Sequence, residues 1–382
     1  MHKLYCGFII GAVTMLAQTA PALTPAQIGI QKAEAQIAKQ PDHFAYYNAL
    51  AMAYARRARE TSDVTYYTKA EDTLKQSFKL SPDNFEALKT QAWLLLGRHE
   101  FAKARAVAIR LNKMNADDVT VYGYLADANA ELGNYQEAVD AAQWMLNIRP
   151  GNVPGLTRAA YLRELHGDFS GAIDLMQNAY DSTPFQETED RAWLFTQVAH
   201  LNYLSGDLRK AETFANGALG LFPNYHYAVG TLAQICIAQK RYGEAVDLLQ
   251  KRFQAAPHAE NEFALAQALA LAGRAQDANR AFADFEKKSL GESTFADNSN
   301  HELVAYYLDY ANQPERALKI ATLELTRRHD AYTLEAYARA LAATGNRRDA
   351  ESEMQKALAF GLKDPKVLEH ARSISMHETT AL

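Results

Sequence analysis

The residues that most often carry chemistry are scattered along this chain of 382 residues. Of its eleven histidines, His370 and His377 are seven positions apart. On a helix that spacing is about 10 Å, too far to share one metal ion. The sequence contains no glycine-rich phosphate loop, no Gly-x-Ser-x-Gly elbow, no His-Glu-x-x-His and no Cys-x-x-Cys. The chain is therefore predicted to be no enzyme, and no metal or cofactor site is predicted.

The N-terminal stretch has the layout of a secretory signal. Lys3 precedes an apolar run over residues 7–16, and Ala20-Pro21-Ala22 places small residues where a signal peptidase reads them. The run is too short to span a bilayer comfortably. We expect residues 1–22 to be a signal peptide cleaved after Ala22, and the mature protein to be periplasmic or secreted. The alternatives are an uncleaved anchor and a buried first helix.

Cleavage would remove one of the two cysteines, Cys6, and leave Cys236 alone. The mature chain could then form no internal disulfide. Cys236 follows Ala233 by three residues, on the side of its helix that packs inward, so it is predicted to be a small buried apolar residue.

Composition and charge exclude some classes of partner. The chain is 48% apolar and 22% charged, which suits a folded globular or elongated protein. Its formal net charge of −5 lacks the basic excess that nucleic acids or anionic membranes attract. We therefore expect no nucleic-acid partner, and no membrane span once the signal is removed.

Alanines recur along the chain with a constant spacing. Ala126 and Ala138 lie twelve residues apart, with Gly133-Asn134 between them as a helix-ending turn. The same step occurs at Ala92/Ala104, Ala160/Ala172, Ala199/Ala211, Ala233/Ala245, Ala266/Ala278, Ala305/Ala317 and Ala338/Ala350, and Ala51/Ala70 has seven more residues between its members. Successive second alanines are 34, 34, 34, 39, 34, 33, 39 and 33 residues apart. A period of this length indicates a stacked helical repeat.

The repeat resembles the tetratricopeptide repeat, in which two antiparallel helices cross at small residues and a proline closes the unit. Prolines close several units (Pro82, Pro150, Pro184, Pro223, Pro257), and aromatic residues begin several second helices (Tyr67, Phe101, Tyr135, Phe169, Tyr242). The resemblance covers about residues 42–365. It implies an all-α, right-handed α-solenoid of about nine helical hairpins, with capping helices at 23–41 and 366–382.

Alanine suits these positions because a long side chain would not fit where two helix backbones approach closely. A leucine at Ala126 or Ala138 would overpack the crossing by roughly 1–3 kcal/mol.

The pattern departs from the family in places. Ala116, Leu290 and His329 replace the proline, and Pro314 and Arg347 replace the aromatic residue. Two longer connections, near 185–191 and 289–299, are polar and are predicted to be exposed. The alternative is that they are ligand loops. The superhelix could also break at them, into segments near 42–184, 185–290 and 298–365.

In the family that these repeats resemble, the first helix of each hairpin lines a concave groove. Carrying over its groove positions gives Trp93, Asp127, Tyr161, Trp193, His200, Tyr203, Tyr227, Phe263, Tyr306, Tyr332 and Arg339. The alternative for any one ring is packing against the neighbouring repeat. The family's clamp for C-terminal carboxylates is not predicted, because Asn48 and Lys89 are isolated and Asp127 and Glu164 have the wrong charge.

An aromatic, mildly acidic groove suits a peptide held by apolar side chains and amide hydrogen bonds. We therefore expect a non-catalytic protein–protein interaction scaffold of the cell envelope that binds a peptide or protein partner. The alternative is a scaffold associated with polysaccharide synthesis or export, which similar helical-repeat modules accompany. The sequence does not fix the oligomeric state.

Overall fold

The computed structural model describes residues 23–376, and its regular structure there is helical throughout. The proposed signal peptide with Cys6, and the tail with His377, lie outside the described residues.

Two single helices flank nine helical hairpins in the described part of the chain. The single helices are α1 (Pro25–Lys39) and α20 (Pro365–Met376). The hairpins, in order, are α2 (Phe44–Thr61) with α3 (Thr65–Leu80), α4 (Phe85–Gly97) with α5 (Phe101–Met114), α6 (Val119–Glu131) with α7 (Tyr135–Ile148), α8 (Val153–Leu165) with α9 (Phe169–Ser182), α10 (Thr188–Leu204) with α11 (Leu208–Leu221), α12 (His226–Ala238) with α13 (Tyr242–Ala255), α14 (Ala259–Leu271) with α15 (Ala275–Glu292), α16 (Asn300–Asp309) with α17 (Pro314–Leu325), and α18 (Ala331–Ala343) with α19 (Arg347–Leu358). The predicted all-α solenoid is confirmed.

The paired alanines lie where the two helices of each hairpin cross. All of them except Ala305 are at most 2% exposed. Ala305 is half-buried, and it lies on α16, which at ten residues is the shortest helix of the described chain. The steric explanation for the alanine period therefore holds in eight hairpins and is weaker in one.

The first helices of the hairpins lie on the inner side of the curve. Neighbouring first helices approach each other closely, as α2 and α4, α6 and α8, or α10 and α12 do. In the described chain no two second helices approach as closely, because each second helix packs between two first helices. In a curved array the inner layer is the more crowded one, so α2, α4 and the later first helices form the concave face.

Each hairpin turns through one residue with left-handed backbone conformation. These residues are Ser62, His99, Gly133, Gly167, Gly206, Lys240, Gly273, Asn312 and Gly345, with φ between 51° and 88°. The turn lets the amide of Asn134 donate to the carbonyl of Asn129 at 2.8 Å, which ends α6.

After four to six hairpins the chain returns to where it began and touches itself. The ring of His258, before α14, contacts the carbonyl oxygen of Ser62, 196 residues earlier. The amide of Ala331 donates to the hydroxyl of Tyr135 at 2.6 Å, again across 196 residues. Further along, Nδ1 of His166 lies 2.5 Å from the carbonyl oxygen of Phe360. We call this line of contacts the inter-turn seam. It lies between a first superhelical turn, formed by the first four hairpins, and a second, formed by the last five. It joins residues 56–62, 99, 131–135 and 166–167 to residues 187–190, 226, 258, 297, 328–331 and 360–363.

The expectation that the two longer connections are exposed holds only in part: Phe185 and Phe295 are exposed, but both connections also belong to this seam. Glu187 and Asp190 of the first connection pair with Arg56, and Glu189 is fully buried. Asp297 of the second connection lies 3.5 Å from His99.

The hydrophobic core is also continuous across both connections. Met176 of α9 packs in one cluster with Leu194 of α10. Phe285 of α15 packs in one cluster with Leu303 of α16. The array is therefore not broken at either connection.

Candidate functional site

All the groove residues predicted from the sequence lie on first helices. Trp93 is on α4, Asp127 on α6, Tyr161 on α8, Trp193, His200 and Tyr203 on α10, Tyr227 on α12, Phe263 on α14, Tyr306 on α16, and Tyr332 and Arg339 on α18. Each of these helices contributes to the concave face.

Most of the predicted aromatic side chains are half-buried, with one side packed and the other open. Trp93 and Trp193 pack against the cores of their own and neighbouring hairpins and keep part of the ring accessible. Tyr203 does the same, and Tyr227 is 40% exposed. A ring held on one side loses little conformational freedom when a ligand covers the other.

Two predicted rings serve packing between hairpins instead. Phe263 is only 5% exposed, and its ring centroid lies 4.8 Å from that of Phe285 on α15. Tyr306 stacks on Phe282, with centroids 5.3 Å apart. Both rings therefore join the aromatic core between the seventh and eighth hairpins, which is the alternative expected for single rings.

The inter-turn seam brings two distant predicted residues to one place. Tyr161 of the fourth hairpin and Tyr332 of the ninth pack against the same apolar cluster, which contains Leu165 and Ala338. The Tyr161 hydroxyl donates to Glu131 at 3.3 Å. Burial raises the pKa of the Tyr161 phenol well above its ordinary value, and nearby carboxylates including Glu131 add to the shift.

Beside this pair, a predicted histidine is held by a buried carboxylate. Nε2 of His200 lies 3.1 Å from Glu164, which is 7% exposed. Burial acts to lower the pKa of His200, but the hydrogen bond and the charge of Glu164 outweigh it and raise the pKa above its ordinary value. The pair therefore places a histidine and a carboxylate in direct contact at the concave face.

Arg328 is the centre of an ionic network that the sequence did not reveal. Its guanidinium lies 3.3 Å from Glu131 across the seam, and 3.1 Å from Glu324 on its own side. It also lies 3.3 Å from the ring of His301. Burial raises the pKa of Glu131 to about 7, Asp330 adds to the shift, and Arg328 opposes it. This part of the concave face therefore holds Arg328 and three carboxylates, those of Glu131, Glu324 and Asp330, in one ionic network.

The two remaining predicted residues are charged and already paired. Asp127 accepts from Arg158 at 2.6 Å, and Arg339 donates to Asp309 at 2.5 Å. Glu335 lies 3.7 Å from Arg339. A ligand here would meet neutral ion pairs.

Comparison by sequence gives no relative: no family model matches the chain, and no curated protein matches it. Comparison by structure gives many. The Cut9–Hcn1 hetero-tetramer of APC/C matches with a TM-score of 0.52 and 12% identity over 86% of this chain, and this chain spans 55% of that one. The human IFIT1 dimer with m7Gppp-AAAA matches with a TM-score of 0.52 and 15% identity, over 86% of this chain and 84% of that one. The human IFIT1 dimer with PPP-AAAA has a TM-score of 0.50 and 13% identity, over 88% and 95%.

Those neighbours are tetratricopeptide-repeat proteins, and the chain described above is likewise an array of helical hairpins. The fold is that of a tetratricopeptide-repeat solenoid. The resemblance inferred from the alanine period is thereby confirmed at the level of fold.

Sequence reasoning missed the residues that join the two turns of this tetratricopeptide-repeat solenoid. Arg59 donates to Glu189 at 3.0 Å, and the hydroxyl of Tyr225 donates to the same carboxylate at 2.5 Å. The sequence contained one signal for these contacts, the extra residues in the first and fifth repeats. They lengthen α2 to 18 residues and α10 to 17, more than the other first helices, and the two extensions contact each other.

The remaining reactive groups of the tetratricopeptide-repeat solenoid are unremarkable. Cys236 is 1% exposed, as expected, and burial raises the pKa of its thiol. Residues 23–376 contain no group of three side chains placed to hold a metal ion. None of the helices described there is long and apolar enough to cross a bilayer.

Proposed function

We propose that this chain is a non-catalytic interaction scaffold of the cell envelope, which holds a segment of a partner polypeptide against its concave face. The observation that carries the proposal is the series of half-buried rings on successive first helices, among them Trp93, Tyr161, Trp193, Tyr203 and Tyr332. Rigid, partly packed aromatic side chains give large contact areas at low entropic cost, and they dominate binding energy in protein interfaces.

The charges of the concave face support a polypeptide rather than a nucleic acid. IFIT1 was solved with m7Gppp-AAAA, and phosphates of that kind are bound by basic groups. In this chain, concave-face cations such as Arg158, Arg328 and Arg339 are each paired with a carboxylate. A phosphate would have to displace those carboxylates, whereas peptide amides need only hydrogen bonds.

The binding proposal is tested with the three tryptophans of the chain. Tagged wild-type protein and the Trp93→Ala/Trp193→Ala variant are used to capture partners from an envelope extract of the native host. Loss of two central anchors is expected to weaken capture by about tenfold or more. Trp144→Ala is the matched control, because Trp144 is 52% exposed on the second helix α7. Equal capture by the double variant and the wild type would rule out the concave face.

The same variants distinguish a polypeptide from a glycan. In a Trp144→Phe background, the fluorescence of Trp93 and Trp193 reports on the concave face alone. We expect captured peptides to change this fluorescence and neutral or anionic polysaccharides not to. The reverse result would favour the polysaccharide-associated scaffold.

The envelope location is supported by the N-terminal sequence. N-terminal sequencing of the protein from the periplasmic or secreted fraction should begin at Leu23. A chain found in the cytosol with its first 22 residues intact would contradict this part of the proposal.

A further inference from the structure

A cleft of 1060 Å³ opens between the two superhelical turns, beside the inter-turn seam. One wall comes from the first turn: the end of α2, the start of α3 and the turn from α4 to α5. The other comes from the second turn: Tyr227, the start of α14 and the connection over residues 292–299. Ligand pockets commonly enclose about 300–1000 Å³, so this cleft has room for several residues of a peptide.

Every lysine and arginine in the walls of the cleft already has a carboxylate partner. The pairs are Arg59 with Glu189, Arg98 with Glu71, Lys103 with Glu100, and Arg327 with Glu324. The positive charge of the walls is therefore neutralised within the protein, and an anionic ligand would have to break an existing pair.

Two carboxylates of the walls have no charged partner among the described residues, and a third, Glu260, has only one long contact. Glu260 is half exposed and is 3.8 Å from the nearest cation, Arg252. Asp297 is half exposed and faces only His99, at 3.5 Å. Burial lowers the pKa of His99 despite the pull of Asp297, so the ring is uncharged at neutral pH. Glu292 has no ion pair among the described residues. The walls carry four basic and four acidic side chains, and because the basic ones are already paired, Glu292 and Asp297 remain as unpaired negative charges.

Aromatic side chains line the same cleft as these carboxylates. Tyr67 comes from the first turn, and Tyr227 and Phe295 come from the second. Phe295 is 61% exposed, with no cover of its own. The faces of such rings attract ammonium and guanidinium groups, and the stems of lysine and arginine pack on apolar surface. The cleft thus combines the two features that recognise a basic side chain.

We propose that the inter-turn cleft is a second binding site, which takes a lysine- or arginine-bearing segment of a partner polypeptide. The site shares Tyr227 with the concave face, but neither Trp93 nor Trp193 lines it. It rests on the proposed function only in that its ligand is a polypeptide. The cationic head pairs with Glu260, Glu292 and Asp297, while its stem lies against the rings. Because both turns supply walls, the bound segment also ties the turns together.

The test uses a fluorescein-labelled nonapeptide of alternating lysine and alanine, titrated with the full chain at about 50 mM salt, where screening is weak. Binding should weaken by about tenfold or more in Glu260→Gln/Glu292→Gln/Asp297→Asn, since three partly exposed charge pairs are lost. The matched control, Glu137→Gln/Asp174→Asn/Asp247→Asn, removes three exposed charges from second helices and should change binding by less than about twofold.

The ring contribution has its own pair of variants, both at exposed positions in connections. Phe295→Ala should weaken binding by about threefold, because a cation–ring contact at such a site is worth about 0.5–1 kcal/mol. Phe185→Ala, in the other long connection, should leave binding unchanged; Phe185 is 78% exposed.

Three results would overturn the proposal. One is equal weakening by both triple variants, which would mean non-specific attraction to an acidic protein. Another is binding of a glutamate–alanine nonapeptide as tight as that of the lysine peptide, or no binding of either. The third is loss of binding in the Trp93→Ala/Trp193→Ala variant, which would place the lysine peptide on the concave face and leave the proposed function standing.

Discussion

The hairpin turns of the first superhelical turn and those of the second share one backbone conformation but have different surroundings. Gly133 and Gly273 both sit between a first and a second helix, with φ of 79° and 74°. A β-carbon at Gly133 would lie 2.4 Å from the carbonyl oxygen of His329, in the other turn. A β-carbon at Gly273 would meet nothing within 4 Å. The hairpin turn at Gly133 is therefore an interior contact, whereas the hairpin turn at Gly273 lies at a free edge.

This difference shows that the solenoid is not held by neighbouring repeats alone. Stacked repeats usually derive their stability from each unit and its nearest neighbours. Here the first four hairpins also contact units four to six positions further along the chain, through pairs such as Arg56 with Glu187 and Arg328 with Glu131. We therefore expect loss of the inter-turn seam to loosen both turns together, whereas damage at a free edge stays local.

The largest effect should come from Glu189→Gln at the seam. Glu189 is fully buried and accepts hydrogen bonds from Arg59 and Tyr225. Breaking a buried ion pair from one side leaves the other charge uncompensated, so the free energy of unfolding should fall by about 3–5 kcal/mol. Urea denaturation measures this loss, and small-angle scattering should show a larger radius of gyration.

Its control is Asp72→Asn, which removes an exposed pair with Lys75 on α3, away from the seam. That variant should resemble the wild type in both measurements. If the two variants are equally stable, the buried pair does not hold the turns together.

Alanine at the two glycines tests the opening comparison directly. Both substitutions force a residue with a β-carbon into left-handed conformation, which costs about 1–2 kcal/mol. Gly133→Ala also presses a β-carbon onto the backbone of His329, and such overpacking adds about 1–3 kcal/mol. Denaturation curves should therefore separate the two variants, and only Gly133→Ala should increase the radius of gyration. Equal losses would mean that the seam at Gly133 opens freely.

The repeats themselves were predictable because their cause is local. An alanine such as Ala126 is required wherever two helices of one hairpin cross, and that constraint repeats with every unit. The spacing of these alanines also predicts which helices carry the groove residues, and Trp93 and Tyr161 lie on first helices as expected. The position of a ring within the repeat does not determine what surrounds that ring. Phe263, for example, is buried in the hydrophobic core.

The seam was not predictable, because it depends on how far the chain rotates from one hairpin to the next. No residue pattern marks that rotation, and contacts such as Ala331 with Tyr135 span 196 positions. The sequence did show extra residues before Ala70, near Glu189 and near Asp297. Their polar character suggested exposed connections, because carboxylates are rarely buried without a partner. The partners, Arg56 and Arg59 among them, come from the other turn.

Acid should weaken the seam by protonating His226, and the loss in free energy of unfolding should be intermediate in size. Burial lowers its pKa from 6.5 to about 4, Arg252 and His258 add to the shift, and the bond to the carbonyl of Arg59 opposes it. The unfolded chain therefore binds this proton more readily than the folded one. The stability that depends on neutral His226 is fully present above pH 6.5 and is lost as the pH falls toward 4. At pH 5 the loss should be about 2 kcal/mol.

Urea denaturation of the wild type and of His226→Gln at pH 7 and pH 5 measures this contribution. The glutamine amide keeps a donor for the carbonyl of Arg59 but does not titrate. The variant should thus lose less stability between the two pH values than the wild type loses. An unchanged pH dependence would assign the acid sensitivity to other groups.

The smallest effect should come from relieving strain at turns without glycine. Lys240 has φ of 62° and its side chain is exposed at a free edge. Lys240→Gly removes left-handed strain but gives the unfolded chain more conformational freedom, so the free energy of unfolding should rise by at most about 1 kcal/mol.

His99 has φ of 57°, but its ring stacks on Phe101 at 5.5 Å and faces Asp297 across the seam. His99→Gly relieves the same strain and loses those contacts, so it should bring no gain. Equal gains in the two variants would show that the seam contact of His99 contributes nothing, and the contrast between interior and edge turns would fail at this position.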